Sequence, residues 1–178
     1  MLGRFEKFWR KSANPPLTPT QQSLVKAVIR CVRERNMHMV IAPRSCGATT
    51  LFKALKIFFD LNEKESYWAI HCVPLRDSLS THNFYKLPIG LRRGGYRPDI
   101  FIVDSCIDSK NLLYIFDIYK FIEQCKTLSF GGSHDKPAGV LVYISLDKNE
   151  VEETEGVLLQ IQKDLGVPPE RLHYLLPA

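Results

Sequence analysis

Apolar runs and amphipathic stretches take turns along the chain. "MHMVIA" from Met37, "SYWAIHCV" from Ser66, "DIFIVD" from Asp99 and "GVLVYIS" from Gly139 are nearly unbroken apolar runs, and "RLHYLL" from Arg171 is a shorter one. Their length and their β-branched and aromatic residues predict strands. Between them, "TTLFKALKIFFDL", "KNLLYIFDIYKFIEQC" and "NEVEETEGVLLQIQKDL" carry apolar residues at helical spacing. The stretch that follows "SYWAIHCV" reads as a polar connection. Ahead of the first strand, "LTPTQQSLVKAVIRCVRERN" predicts a helix with Thr18 as N-cap, Pro19 at the first helical position and Gln21 completing a T-x-x-Q capping box. Leu24, Val25, Val28, Ile29 and Val32 would form its buried stripe. Gly166 and the Pro168-Pro169 pair stop the last helix. Apolar strands separated by helices imply a parallel sheet covered on both faces. Ligands of such sheets bind outside the carboxyl ends of the strands.

Leu2, Phe5, Phe8 and Trp9 recur at helical spacing against Arg4, Lys7, Arg10 and Lys11. Residues 1–16 therefore read as a basic amphipathic arm and its linker, "SANPP", and residues 17–178 as one domain. The arm is either a terminal helix docked on the domain or a segment for a membrane surface or a partner. A length of 178 residues is enough to bury a sizeable core. The formal charge of +5 permits contact with nucleic acid or anionic surfaces without requiring it. No stretch approaches the roughly 20 apolar residues of a membrane span, and basic residues interrupt the start where a secretory leader would be apolar. Cys31, Cys46, Cys72, Cys106 and Cys125 are odd in number, scattered and free of C-x-x-C pairs. They point to reduced thiols and an intracellular protein. The histidines are equally scattered, which argues against a structural zinc site.

The carboxyl end of the first strand runs into "APRSCGATT", a departure from the phosphate-loop pattern G-x-x-x-x-G-K-[ST]. A phosphate loop aims successive backbone N–H groups and a helix N-terminus at the anion, lysine adds a full charge, and Ser or Thr ligates magnesium. Here Gly47 and Thr49 stand at the second glycine and the magnesium position, but Ala42 replaces the first glycine and Ala48 the lysine. The other half of such a site is a carboxylate closing a second apolar strand, and Asp104 after "IFIV" supplies it. It could hold magnesium through water. The glutamate that often follows and activates the attacking water is Ser105 here, which cannot accept a proton at neutral pH as a carboxylate does.

Taken together, four segments resemble the ATPase domain of viral large terminase subunits, the motors that package DNA into phage and herpesvirus capsids. "LTPTQQ" resembles an L-x-P-x-Q segment, which implies Gln21 near an adenine; its capping box explains the same residue. "APRSCGATT" resembles the family's divergent phosphate loop, and "GLRRGGYRPDIFIVDS" its R-G stretch leading into an apolar strand and an Asp-Glu pair. "GVLVYIS" resembles the coupling strand ending in Ser or Thr, here Ser145. The resemblance runs from about Leu17 to Ile161. It implies a three-layer fold with a mainly parallel five-stranded sheet in the order 5-1-4-3-2 and helices on both faces. It also implies ATP contacts from Gln21, Arg44, Ser45, Cys46, Gly47, Ala48, Thr49 and Thr50, with magnesium on Thr49 and Asp104.

The departures weigh against fast unaided hydrolysis. Losing one charge-assisted contact costs about 1.5–3 kcal/mol, and losing the base costs a further ~10²–10⁴ in rate. ATP and magnesium are thus expected to bind weakly or not at all. Arg44 inside the loop could stand in for the lysine, as could Arg92, Arg93 and Arg97 if they lie near the same strand ends as Asp104. No nuclease segment follows the ATPase-like part, so DNA cleavage is not expected. Ser45 and Cys46 lack a local histidine that would make either a nucleophile. "FGGSHDKPAG" reads as a mobile loop with His134 exposed, and "EVEETEG" as the acidic first turns of a helix. The expected function is that of a degenerate P-loop protein with a structural or regulatory role in viral DNA packaging or a related DNA-processing assembly. Its partners would be an active homologue, packaging or capsid proteins and DNA, with membrane contact only through residues 1–12. It would reside inside the cell, and in the virion or host nucleus if viral. The rival readings are an ATPase that uses a substitute arginine in an oligomer or with DNA, and a nucleotide-free binding module.

Overall fold

A computed structural model of the chain describes residues 1–61, 69–74, 81–105, 118–132 and 136–176. Helices α1 (Leu2–Lys11) and α2 (Pro19–Glu34) precede strand β1 (Met37–Pro43), and α3 (Ala48–Leu61) follows it. Then come β2 (Ile70–Pro74), α4 (Thr81–Arg93), β3 (Ile100–Ser105), α5 (Ile118–Ser129), β4 (Gly139–Leu146), α6 (Lys148–Leu165) and β5 (Leu172–Tyr174). All strand pairings are parallel and the spatial order is β2-β3-β4-β1-β5. This is the 5-1-4-3-2 order that the terminase resemblance implied, in an all-parallel sheet.

The two-residue period of the strands sorts their side chains into two cores. Val40, Ala42, Ile100, Ile102, Leu141 and Tyr143 face α1, α2 and α3. Met39, Ile41, Phe101, Val103, Val142 and Ile144 face α5 and α6, with Leu87 and Leu91 of α4 packed against the margin. Burial on both sides is why the strands read as continuous apolar runs rather than alternating ones.

Local signals account for the helix ends. Thr18 caps α2 by accepting the Gln21 N–H, and Gln21 Oε1 accepts the Thr18 N–H in return. All five residues of the expected stripe of α2 are buried. Asp147 and Glu150 form the same reciprocal box at the start of α6, which ends at Gly166 in the left-handed conformation. The amphipathic N-terminal segment is a docked helix. Phe5 and Trp9 of α1 are buried, Phe5 meets Phe58 of α3 edge-on at 5.5 Å, and Trp9 Nε1 donates to the Pro15 carbonyl.

Two expectations need correction. The polar connection after β2 contains a helix, α4, which the sequence hid behind Pro88 and Gly90 within its thirteen residues. Pro88 is itself buried, and Leu87 and Leu91 on either side of it pack against the core. The second correction concerns Arg92, Arg93 and Arg97, which sit at the amino end of β3 and not beside Asp104. A crossover helix returns the chain to the edge where the next parallel strand begins, so residues just ahead of β3 must lie at its opposite end from Asp104. Those ends are five residues apart, roughly 16 Å along the strand. His134 and the middle of "FGGSHDKPAG", like Cys106 and the first half of "KNLLYIFDIYKFIEQC", lie outside the described residues.

Candidate functional site

The carboxyl ends of β1, β3 and β4 lie side by side, because β4 sits between the other two. The chain leaving β1 turns sharply to start α3. Ser45 and Gly47 both take the left-handed conformation, at φ 63° and 79°. Glycine bears that freely; Ser45 bears it at a steric cost. The two left-handed residues wrap the backbone around the N-terminus of α3, whose first N–H groups have no partner within the helix. Such a concave backbone favours an anion.

Residues 45–50, Asp104, Tyr143 and Ser145 line a cleft of about 180 Å³ at this point. Thr49 Oγ1 donates to Asp104 Oδ2 across it at 2.8 Å. The threonine at the magnesium position and the strand-ending carboxylate therefore share one crevice. A hydroxyl and a carboxylate in this relation are oxygen donors of the type magnesium takes, completed by water and phosphate oxygens. Among the described residues no group of three or more His, Cys, Asp or Glu side chains could hold a metal by itself. Ala48, at the lysine position, is buried against the cleft floor and brings no charge. The cleft is smaller than the ~300 Å³ at which small-molecule pockets begin, and is of a size for a phosphate group rather than a whole nucleotide.

The expected site residues separate into two groups. Ser45, Cys46, Gly47, Ala48, Thr49, Thr50 and Asp104 converge on the cleft. Gln21 stands behind the loop, with Nε2 donating to the Cys46 carbonyl at 3.1 Å while Oε1 stays in the capping box. One side chain thus joins the start of α2 to the phosphate-loop backbone. It also explains Gly47 a second time, since a β-carbon there would lie 3.1 Å from Gln21 Nε2.

Arg44 does not join the cleft lining. Its Nη2 donates to both carboxylate oxygens of Glu150, at 2.8 and 2.6 Å, and its Nε lies 3.5 Å from Asp147 Oδ2. The acidic start of α6 therefore holds the loop's one cation away from the place a lysine would occupy. Glu150 also accepts the Asp147 N–H at 2.8 Å, so the pair is built into the helix cap.

Two residues of the site escaped sequence reasoning. Tyr143 OH lies 3.3 Å from Cys46 Sγ, and its ring meets Phe52 edge-on at 5.2 Å, filling the space under the loop. The signal was present: Tyr143 is the one phenol in an aliphatic strand and stands two residues before Ser145, hence on the same face. Glu150 was read only as a dipole partner, because its reach to Arg44 spans 106 residues.

No family model, no curated protein and no solved structure matches the chain. The architecture defines its class. It is a three-layer α/β protein with a five-stranded parallel sheet in the arrangement of P-loop nucleoside triphosphatases. No helix among the described residues is long and apolar enough to cross a membrane.

Proposed function

We propose that the chain is a degenerate, non-hydrolysing counterpart of the terminase ATPase, with a structural or regulatory role in viral DNA packaging or a related DNA-processing assembly. The observation that carries this reading is the 2.8 Å contact of Thr49 with Asp104 in a cleft whose lysine position is Ala48. Thr49 and Asp104, the residues that would hold magnesium, meet, while the lysine that would neutralise phosphate is replaced by Ala48. Ser105 in place of the activating glutamate points the same way. The four terminase-like segments, in their order along the chain, support the finer assignment.

The rival in which Arg44 replaces the lysine would need that side chain to leave two carboxylates at the start of α6. The reading in which no nucleotide binds gains support from the small cleft, and differs from ours in the last step only. The substitute-arginine rival is separated from the proposal by titration calorimetry with magnesium and a non-hydrolysable ATP analogue. The wild-type chain should give weak or undetectable heat. Ala48→Lys should bind at least about tenfold more tightly, as one restored charge-assisted contact to phosphate predicts. Tight binding by the wild type that Arg44→Ala abolishes would establish the substitute-arginine reading instead.

A further inference from the structure

The edge of the sheet opposite the phosphate loop carries a second, larger concavity. It is about 460 Å³ in volume and lies where the chain enters β3 and β4. Arg92 reaches it from the last turn of α4, Arg97 from the connection between α4 and β3, and Phe130, Lys136 and Pro137 from the connection between α5 and β4. Its three cations have no acidic partner among the described residues. Asp99, just after Arg97, is already engaged by the Arg35 guanidinium and the Ala69 N–H, and Asp135, beside Lys136, lies outside the described residues. Arg92, in the last turn of α4, offsets the helix dipole there. That account covers neither Arg97 nor Lys136, which lie outside any helix.

Phe130 adds a feature that charge alone does not explain. It is 71% exposed, the largest exposure of any phenylalanine among the described residues. The backbone around it is pinned. The Ala138 N–H donates to the Ser129 carbonyl, the Gly131 N–H to the Leu128 carbonyl, and Arg35 Nη1 to the Pro137 carbonyl. Gly131 and Gly132 leave no room for a side chain, since a β-carbon at Gly131 would press on the Phe101 ring and one at Gly132 on the Lys136 carbonyl. The exposed ring stands beside three cations that lack an acidic partner among the described residues, a stacking face next to a phosphate-binding cluster.

We infer that this rim binds single-stranded nucleic acid, with backbone phosphates on Arg92, Arg97 and Lys136 and an unstacked base on Phe130. Arginine and lysine recognise phosphate, and an aromatic face held near such cations is how proteins take hold of bases without reading sequence. A duplex keeps its bases stacked and offers Phe130 no face; an acidic peptide or an anionic membrane satisfies the cations but does not use the ring as a stacking platform. The chain's net charge of +5 favours approach of a polyanion. The site stands apart from the phosphate-loop cleft and does not depend on the function proposed for it.

Fluorescence anisotropy of the full chain with a labelled 20-mer of thymidylate, over a range of salt concentrations, tests the inference. Binding should weaken with salt. Combined Arg97→Glu and Lys136→Glu should lower affinity by ten-fold or more and reduce the salt slope. Phe130→Ala should lower it about tenfold while leaving the slope unchanged, as loss of one stacked base predicts. Phe130→Trp should retain binding. All these side chains are exposed or at the rim, and unchanged circular dichroism checks that each variant folds. Equal affinity for duplex and single strand, indifference to Phe130→Ala, or preference for anionic vesicles or poly-glutamate would each overturn the assignment. So would loss of binding on Lys7→Glu with Lys11→Glu but not on the rim variants, which would place the contact on α1.

Discussion

Thr49 and Asp104 lie 55 positions apart in sequence and 2.8 Å apart in space, and that contact organises the cleft at the scale of single residues. Thr49→Val should cost about 1–2 kcal/mol of stability by denaturant titration, since it leaves a buried carboxylate short of a donor. Gly47 is more demanding. Alanine there must hold φ near 79° and press on Gln21 Nε2, so Gly47→Ala should cost roughly 1–2 kcal/mol. Arg44 teaches a different lesson. The sequence placed a cation inside a phosphate loop, and the natural inference was that it faces the phosphate. Its partners Asp147 and Glu150 belong to a helix more than a hundred residues later, and no local pattern announces that pairing.

Elements show which signals in a sequence are strong. α2 was legible down to its cap because a capping box and a 3.6-residue stripe are both local. α4 was not, because Pro88 and Gly90 weigh against a helix that tertiary packing nonetheless supports. Residues 1–11 were legible as a helix but not as to its partner, since a basic amphipathic face suits a domain surface as well as a membrane. With Phe5 fully buried against Phe58, Phe5→Ala should cost about 3–5 kcal/mol in a melting experiment. The short edge strand β5 is tied on by an imidazole pair. His38 Nδ1 and His173 Nε2 lie 3.0 Å apart, and His38 Nε2 lies 3.0 Å from Glu34 Oε2. Burial pushes His38 down to about 4 despite the opposing pull of Glu34, and burial lowers His173 as well. The folded chain keeps these rings neutral while the unfolded chain takes up protons below about pH 6.5. Stability should accordingly fall as pH drops from 6.5 towards 4, by roughly 1–3 kcal/mol for His38. His38→Gln should flatten that part of the curve in denaturant titrations at stepped pH.

At the scale of the whole molecule, the phosphate-loop cleft and the basic concavity lie at opposite edges of one sheet. Parallel strands fix this arrangement: residues that follow strands gather at one edge and residues that precede them at the other. The pairing of the β1 and β3 ends was foreseeable once Asp104 was seen to close an apolar run. The misplacement of Arg92, Arg93 and Arg97 came from counting distance along the chain rather than asking at which end of β3 they stand. The sheet order itself was not readable from hydrophobic patterning and rested on the terminase resemblance. What remains of the P-loop machinery after Ala48 and Ser105 is a backbone cradle, a threonine and an aspartate. On the proposed reading, such a cradle keeps its shape without turning over a substrate.

Release of labelled phosphate from ATP, measured at steady state on the purified chain with magnesium and compared with its Asp104→Ala variant, bears most directly on that claim. The account predicts no turnover above background for either protein, with or without added DNA. Sustained release by the wild type that vanishes in the variant would contradict it.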